Sequence, residues 1–272
     1  MRSAVTAAKN KKECTTMKTY LDISYAVRET ETLCLDVYAP EQSARATLLW
    51  MHGGALEKGS RKRAATLAAY LCEQGVAVIS ADYRLFPNAA YPDFLVDTAD
   101  AARWMKDHVD EYDLPSRFLL GGNSAGAYLT MMMCFDRRWL AGVDMVPEEF
   151  DAFLLEAGQP TAHQTILKYR GMDLRRVLID DSAVLYHIQD QRPDRPLLIT
   201  VSDNDLPCRL EQNRLMEATL KHFEYDMSKV EFHVMEGYGH CGYTYDPDDS
   251  GRMVYGELVR DFLNRHLWCE KA

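Results

Sequence analysis

Short apolar runs recur along the chain, separated by longer segments in which apolar and polar positions mix. Leu21–Tyr25 and Thr32–Tyr38 alternate apolar with polar residues on either side of the charged Arg28-Glu29-Thr30-Glu31. That pattern predicts an antiparallel pair at a sheet edge, and Pro40, with no N–H for a ladder bond, stops the second strand after Ala39. Ala46–Met51 and Val76–Ser80 are apolar but for Thr47 and Ser80, as expected of strands covered on both faces. Helical segments are predicted over Arg63–Gly75 and Pro92–Val109, then a strand from Arg117 to Leu120 and a helix over Ala125–Phe135. Strands at Phe150–Glu156, Arg195–Val201 and Lys229–Met235 follow, with helices over Cys208–Phe223 and Met253–Leu267. Strands alternating with helices specify an α/β class: a mostly parallel central sheet with helices on both faces.

Residues 157–194 exceed an ordinary crossover and carry charged stretches at 170–176 and at Asp180-Asp181. A small helical insertion near a site entrance is expected there. Residues 1–17 are small and polar, a tail or a flap, which leaves 18–272 as the domain proper. At 272 residues and 47% hydrophobic, the chain suits one large domain with a full core.

Charge and cysteine narrow the partners. A formal net charge of −10 argues against a nucleic-acid footprint and against stable association with an anionic membrane. The seven cysteines are an odd number with no C-x-x-C pair and no metal-like spacing, which suits a reducing compartment. Neither an apolar leader nor an apolar run of about 18 residues is present, so a cytoplasmic location is expected. A homo-oligomer is neither demanded nor excluded.

The candidate chemistry centres on Gly122-Asn123-Ser124-Ala125-Gly126, where a predicted strand turns into a predicted helix. Glycines on both sides let strand and helix pass closely while the serine is held at a strained backbone angle with its oxygen exposed. The partial positive end of the following helix favours negative charge nearby. Alone, G-x-S-x-G recurs by chance in about one chain of this length in ten at ordinary Gly and Ser frequencies, so other residues must support it.

They do so from the loops that follow later strands, which gather at one edge of a parallel sheet. A serine hydroxyl needs an adjacent base, and the base needs an anion to hold its tautomer. His240, between Gly239 and Gly242, suits the base. Asp203 and Asp205 both suit the acid; Asp205 is favoured, and the other is free to bond its own loop. The order Ser…Asp…His is one of the known chain orders for such a triad.

In His52-Gly53-Gly54 the two glycines allow the N–H groups of Gly53 and Gly54 close to a substrate oxygen, with Ala125 N–H arriving from the serine turn as a third oxyanion-hole donor. His52 is read as structural, its ring bonding loop backbone. Ala55, Asn123, Tyr238 and Cys241 are candidate pocket residues. Met131-Met132-Met133 is read as core, and Lys58, Arg61, Lys62 and Arg63 as a solvated helix start.

Taken together, Leu35–Pro40, His52-Gly53-Gly54 with Gly59-Ser60, Ala81–Leu85, Tyr91-Pro92 with Asp97, Gly122–Gly126, Asp205 and Gly239-His240 resemble the hormone-sensitive-lipase-like carboxylesterase group of α/β-hydrolases. The resemblance spans roughly residues 18–268. In that group the acid often lies three positions after a strand-ending residue, usually glycine; Ser202 holds that slot, which implies Asp205. Two features depart from the pattern. Ala55 stands where many relatives have a third glycine, followed by Leu56-Glu57-Lys58 where aromatic residues are common, and the N-terminal segment is short for a helical cap. The resemblance implies an α/β-hydrolase fold and a serine carboxylesterase working through an acyl-enzyme, with no metal or organic cofactor. Compact relatives act on feruloyl, acetyl or other short acyl esters of sugars. A neighbouring group hydrolyses N-formylkynurenine, so an amidase or arylformamidase with the same triad is the alternative. A non-catalytic binding protein on this scaffold typically lacks a triad member, and none is missing here.

Overall fold

The computed structural model describes residues 17–29, 31–189 and 193–268. The expected tail or flap lies outside the described residues except for Met17, which already opens the first strand. Eight strands follow in chain order: β1 Met17–Val27, β2 Thr32–Pro40, β3 Ala46–Met51, β4 Val76–Ala81, β5 Phe118–Asn123, β6 Phe150–Glu156, β7 Leu197–Asn204 and β8 Val230–Gly239. They form one sheet in the order β1-β2-β4-β3-β5-β6-β7-β8. β2 pairs antiparallel with both β1 and β4, and every later pair is parallel. The expected edge pair is thus present, and the strand after it begins the parallel section.

The helices are α1 Ala65–Glu73, α2 Asp93–His108, α3 Ala125–Phe135, α4 Arg137–Ala141, α5 Gln164–Tyr169, α6 Val184–His187, α7 Arg209–His222 and α8 Val254–His266. Side chains alternate across a strand, so each central strand feeds two cores. Leu49 and Met51 of β3 face one side with residues of α2, α3 and α7, whereas Leu48 and Trp50 face the other with residues of α1 and α8. α8 buries Tyr255, Val259, Phe262 and Leu263 at helical spacing, one apolar stripe against the sheet. α3 is buried at every position, the methionine run included.

Sequence patterning missed α4, a single short element whose start is capped by Asp136 accepting from Arg138 N–H at 3.2 Å. It also stopped β7 and β8 early. Beyond a register shift, Asn204 pairs with Gly239, and Asp203 Oδ1 accepts from Gly237 N–H at 2.9 Å, so polar residues continue the ladder.

Arg61 corrects the reading of a solvated helix start. It is buried, its Nε donates to Asp36 at 2.8 Å, and its other nitrogens reach Asp22 and Asp82. Burying a guanidinium requires such pairing, and the cluster anchors the segment after His52-Gly53-Gly54 to the edge strands.

Between β6 and β7 the described residues form α5, α6 and irregular backbone. Tyr128 donates to the Ser182 carbonyl at 2.8 Å, Lys168 pairs with Glu57 at 2.9 Å, and the Thr165 hydroxyl donates to the Ala55 carbonyl. The segment is therefore clamped onto the elbow helix and the glycine loop. Among the described residues no helix is long and apolar enough to cross a membrane.

Candidate active site

Ser124 sits between β5 and α3 with φ 53° and ψ −113°, a region that L residues rarely enter. The flanking glycines make the turn feasible. A Cβ on Gly126 would lie 1.9 Å from the Met51 carbonyl oxygen, and one on Gly122 would lie 2.5 Å from the Gly126 backbone. β3, β5 and α3 converge at this point with no room for a side chain.

Three strand ends deliver three side chains to one place. His240, just beyond β8, has Nε2 2.7 Å from Ser124 Oγ and Nδ1 2.6 Å from Asp205 Oδ1. The same Asp205 oxygen accepts from Leu206 N–H at 2.7 Å, and Oδ2 accepts from Ser202 N–H at 3.3 Å. The Asp205 side chain is only 1% exposed, against 23% for His240. Burial pushes the carboxyl up, but its hydrogen bond to His240, that ring's charge and the Leu206 N–H outweigh this and hold it below the ordinary range. Arg209 adds to that balance from a buried position, where it donates to the Ala157 carbonyl at 2.6 Å. Asp203, the other expected acid, does not reach His240; its carboxylate is engaged by Gly237.

The glycine loop requires a correction. Gly53 N–H donates to Asn123 Oδ1 at 2.8 Å, so it is committed within the protein and not free for an oxyanion. Asn123 lines the cavity as expected, and its side chain is also bonded within the protein: the same oxygen accepts from Tyr245 OH at 2.5 Å, and Trp50 Nε1–H donates to Tyr245 at 3.1 Å. Among the described residues, the N–H groups of Gly54, Ala55 and Ala125 donate to no protein acceptor. Ala55 has φ 59°, a left-handed conformation that suits glycine better.

His52 matches its structural reading. Its Nδ1 lies 2.7 Å from the Gly53 carbonyl, the ring stacks on Tyr83 at 4.4 Å, and burial lowers its pKa.

A cavity of about 370 Å³ opens over Ser124 and His240. Ala55, Asn123 and Cys241 line it as expected, together with Gly53, Gly54, Lys58, Ser60, Arg63, Gln164, Leu206 and Tyr245. Tyr238 does not; it packs edge-on against Tyr243 at 5.4 Å on the helical side. Gln164, Arg209 and Tyr245 escaped sequence reading because nothing in their local patterns marks them.

Glu156 also escaped it. It ends β6 fully buried, and neither carboxylate oxygen has a hydrogen-bond partner among the described residues. Its backbone carbonyl accepts from Ser124 N–H at 2.7 Å. Burial pushes its pKa from 4.5 up to about 7, partly offset by nearby Thr244, Cys241 and Tyr243. Burial, then the Glu156 charge, pushes the Cys241 thiol well up.

Residues 35–141 match the family model BD-FAE. Acetyl esterases of Salmonella paratyphi B and Salmonella typhi are 33% identical over 97 residues, 35% of this chain. The stretch that matches is the one that carries the likeness to the hormone-sensitive-lipase-like α/β-hydrolases. Its match spans 30% of the length of those curated relatives. Among solved structures, Thermogutta terrifontis esterase 2 phosphoramylated by tabun superposes with a TM-score of 0.73 at 19% identity, covering 95% of this chain and 97% of that one. A truncated carbohydrate esterase from gut microbiota gives 0.75 at 18% identity, covering 95% and 99%. At these identities the likeness establishes the α/β-hydrolase fold.

Proposed function

We propose that this α/β-hydrolase is a serine carboxylesterase that cleaves short acyl esters through an acyl-enzyme. The observation that carries the reading is the continuous chain Ser124 Oγ, His240 Nε2, His240 Nδ1, Asp205 Oδ1, with separations of 2.7 and 2.6 Å. His240 takes the Ser124 proton as Oγ attacks the carbonyl carbon, and ionised Asp205 stabilises the imidazolium that forms. Gly54, Ala55 and Ala125 N–H groups receive the developing oxyanion, each such donor being worth about 2.7–4 kcal/mol in the transition state. Asn123 acts behind them by tying down Gly53. His240 then protonates the departing alkoxide, and a water activated by the same ring releases the acid.

The small cavity supports short acyl groups, as do the acetyl esterase relatives and the propionate- and butyrate-bound structures of the Thermogutta esterase. Paraoxon phosphorylates that esterase, which supports a nucleophilic serine here. The described residues between β6 and β7 serve as a compact cap, with Gln164 supplying one wall. Cys34, Cys72, Cys134, Cys208 and Cys241 are free thiols, which supports a cytoplasmic setting.

The test combines turnover of p-nitrophenyl acetate, butyrate and octanoate with intact mass after a serine-directed phosphonate. Wild type should hydrolyse the acetate or butyrate and gain one adduct, and Ser124→Ala should lose the adduct and about 10⁴-fold or more in kcat. Labelling at Ser124 without ester turnover would transfer the assignment to an amide or formamide bond. Undiminished turnover in Ser124→Ala would remove it.

A further inference from the structure

The chain has 41 acidic and 31 basic residues and a net charge of −10, yet the wall of the cavity over Ser124 contains no carboxylate among the described residues and two cations, Lys58 and Arg63. The basic stretch that supplies them sorts its charges unequally. Arg61 is consumed by Asp22, Asp36 and Asp82. Lys62 lies 3.8 Å from Asp22, and Arg63 pairs with Asp246 at 2.5 Å while its guanidinium lies 5.0 Å from the Tyr245 ring. Lys58 alone has no acidic partner among the described residues. Its sequence neighbour Glu57 turns away to Lys168, 2.9 Å distant.

Two further polar side chains on the same wall are uncommitted. The Ser60 hydroxyl caps nothing at the turn it precedes. Neither it nor the Gln164 side-chain amide makes a hydrogen bond among the described residues, although the Gln164 backbone N–H is used by Gln159. Lys58, Ser60 and Gln164 share one cavity wall, and their ammonium, hydroxyl and amide donors form a set that matches an anion's acceptor oxygens. The other glycine-loop residues on that wall include Gly54, Ala55 and Gly59, none of which offers a competing negative charge.

We propose that Lys58, helped by Ser60 and Gln164, selects esters that carry an anionic group, a carboxylate or an oxyanion of similar size, near the scissile bond. The proposal rests on the esterase reading and adds the substrate class to it. Lys58 is a specificity-determining residue: it touches the substrate's charge and not the reacting atoms. The anion can lie on the alcohol or on the acyl side of the ester, and paired substrates separate the two.

The experiment compares 4-acetoxybenzoate with 4-acetoxybenzamide for the alcohol side, and monoethyl glutarate with ethyl glutaramate for the acyl side. It uses wild type, Lys58→Ala and Lys58→Glu. The readout is the ratio of kcat/KM for the anionic ester over its neutral isostere. In one of the two pairs this ratio should fall about fivefold in Lys58→Ala and about twentyfold in Lys58→Glu, the size expected for a partly screened ion pair. In wild type it should shrink as salt is raised from low to about 0.5 M. Ratios that stay the same in both pairs across the three proteins overturn the proposal while leaving the esterase reading intact.

Binding of the same pairs to Ser124→Ala, by calorimetry with and without Lys58→Glu, gives the ratio without turnover. Lys58-dependent preference there, with no hydrolysis of any ester by wild type, would sink the esterase reading and keep the anion site. Equal binding of charged and neutral partners in both proteins would sink the site itself.

Discussion

Glu156 and Asp205 follow from adjacent parallel strands toward the same histidine loop, and the fold treats their charges in opposite ways. Both side chains are shut off from solvent. Asp205 meets His240, Leu206 N–H and Ser202 N–H, so its anion is favoured. Glu156 meets hydroxyls already spent elsewhere, Tyr243 donating to Thr200 Oγ1 at 3.2 Å and Thr244 to the Cys241 carbonyl at 3.1 Å. With burial only partly offset, its proton is retained up to about pH 7. The contrast teaches that donors, and not burial, decide which of two buried carboxyls is charged. One negative charge stands behind His240, and a second is held off near neutral pH.

The most drastic way to break this comparison is to remove the charge of Asp205 while keeping its shape. Asp205→Asn should leave the fold intact and lower kcat by about 10⁴, as loss of the triad anion does elsewhere. Measured on p-nitrophenyl acetate, a fall of less than tenfold would mean that His240 does not depend on this carboxylate.

A gentler change sharpens the other half. Between about pH 4.5 and 7 folded Glu156 keeps a proton that the unfolded chain has released. The native state therefore binds more protons there, stability declines as pH rises through that window, and the loss is complete above about pH 7. Glu156→Gln removes the titration, so its stability relative to wild type should rise from pH 5 to pH 8 by on the order of 1–3 kcal/mol. Urea unfolding at the two pH values measures this, and an identical difference at both would show that the carboxyl does not titrate in that range.

The smallest effect belongs to Asp203, whose carboxylate ties β7 to Gly237. Asp203→Ala should cost about 0.5–1.5 kcal/mol for one hydrogen bond and leave turnover on the order of wild type. A loss matching that of Asp205→Asn would reassign the acid.

Much of the architecture was legible beforehand. Ala46–Met51, Val76–Ser80 and Phe150–Glu156 read as buried strands because an apolar run covered on both faces has few other uses, and they appear within a residue of those bounds. Ser124 was legible because a turn that admits only glycine on both sides leaves a mark in the sequence. The commitment of Gly53 N–H was not, since it depends on the rotamer of Asn123 seventy positions away. Tyr238 illustrates the same limit from the other side: proximity to His240 in sequence suggested the pocket, whereas β8 turns it toward Tyr243.

Residue order alone determined the strand and helix sequence, the α/β class, the elbow and the three loops that bear Ser124, Asp205 and His240. These depend on short-range physics: side-chain period, missing Cβ atoms and the absent N–H of proline. Only the tertiary structure decided between Asp203 and Asp205 as the partner of His240, withdrew Gly53 from the free donors, paired Arg61 inside the fold and, among the described residues, left Lys58 without an acidic partner on the wall of the cavity over Ser124. Each of those is a choice among competing hydrogen-bond and charge partners, and the winner is set by which groups packing brings within about 3 Å, a distance that no local pattern encodes.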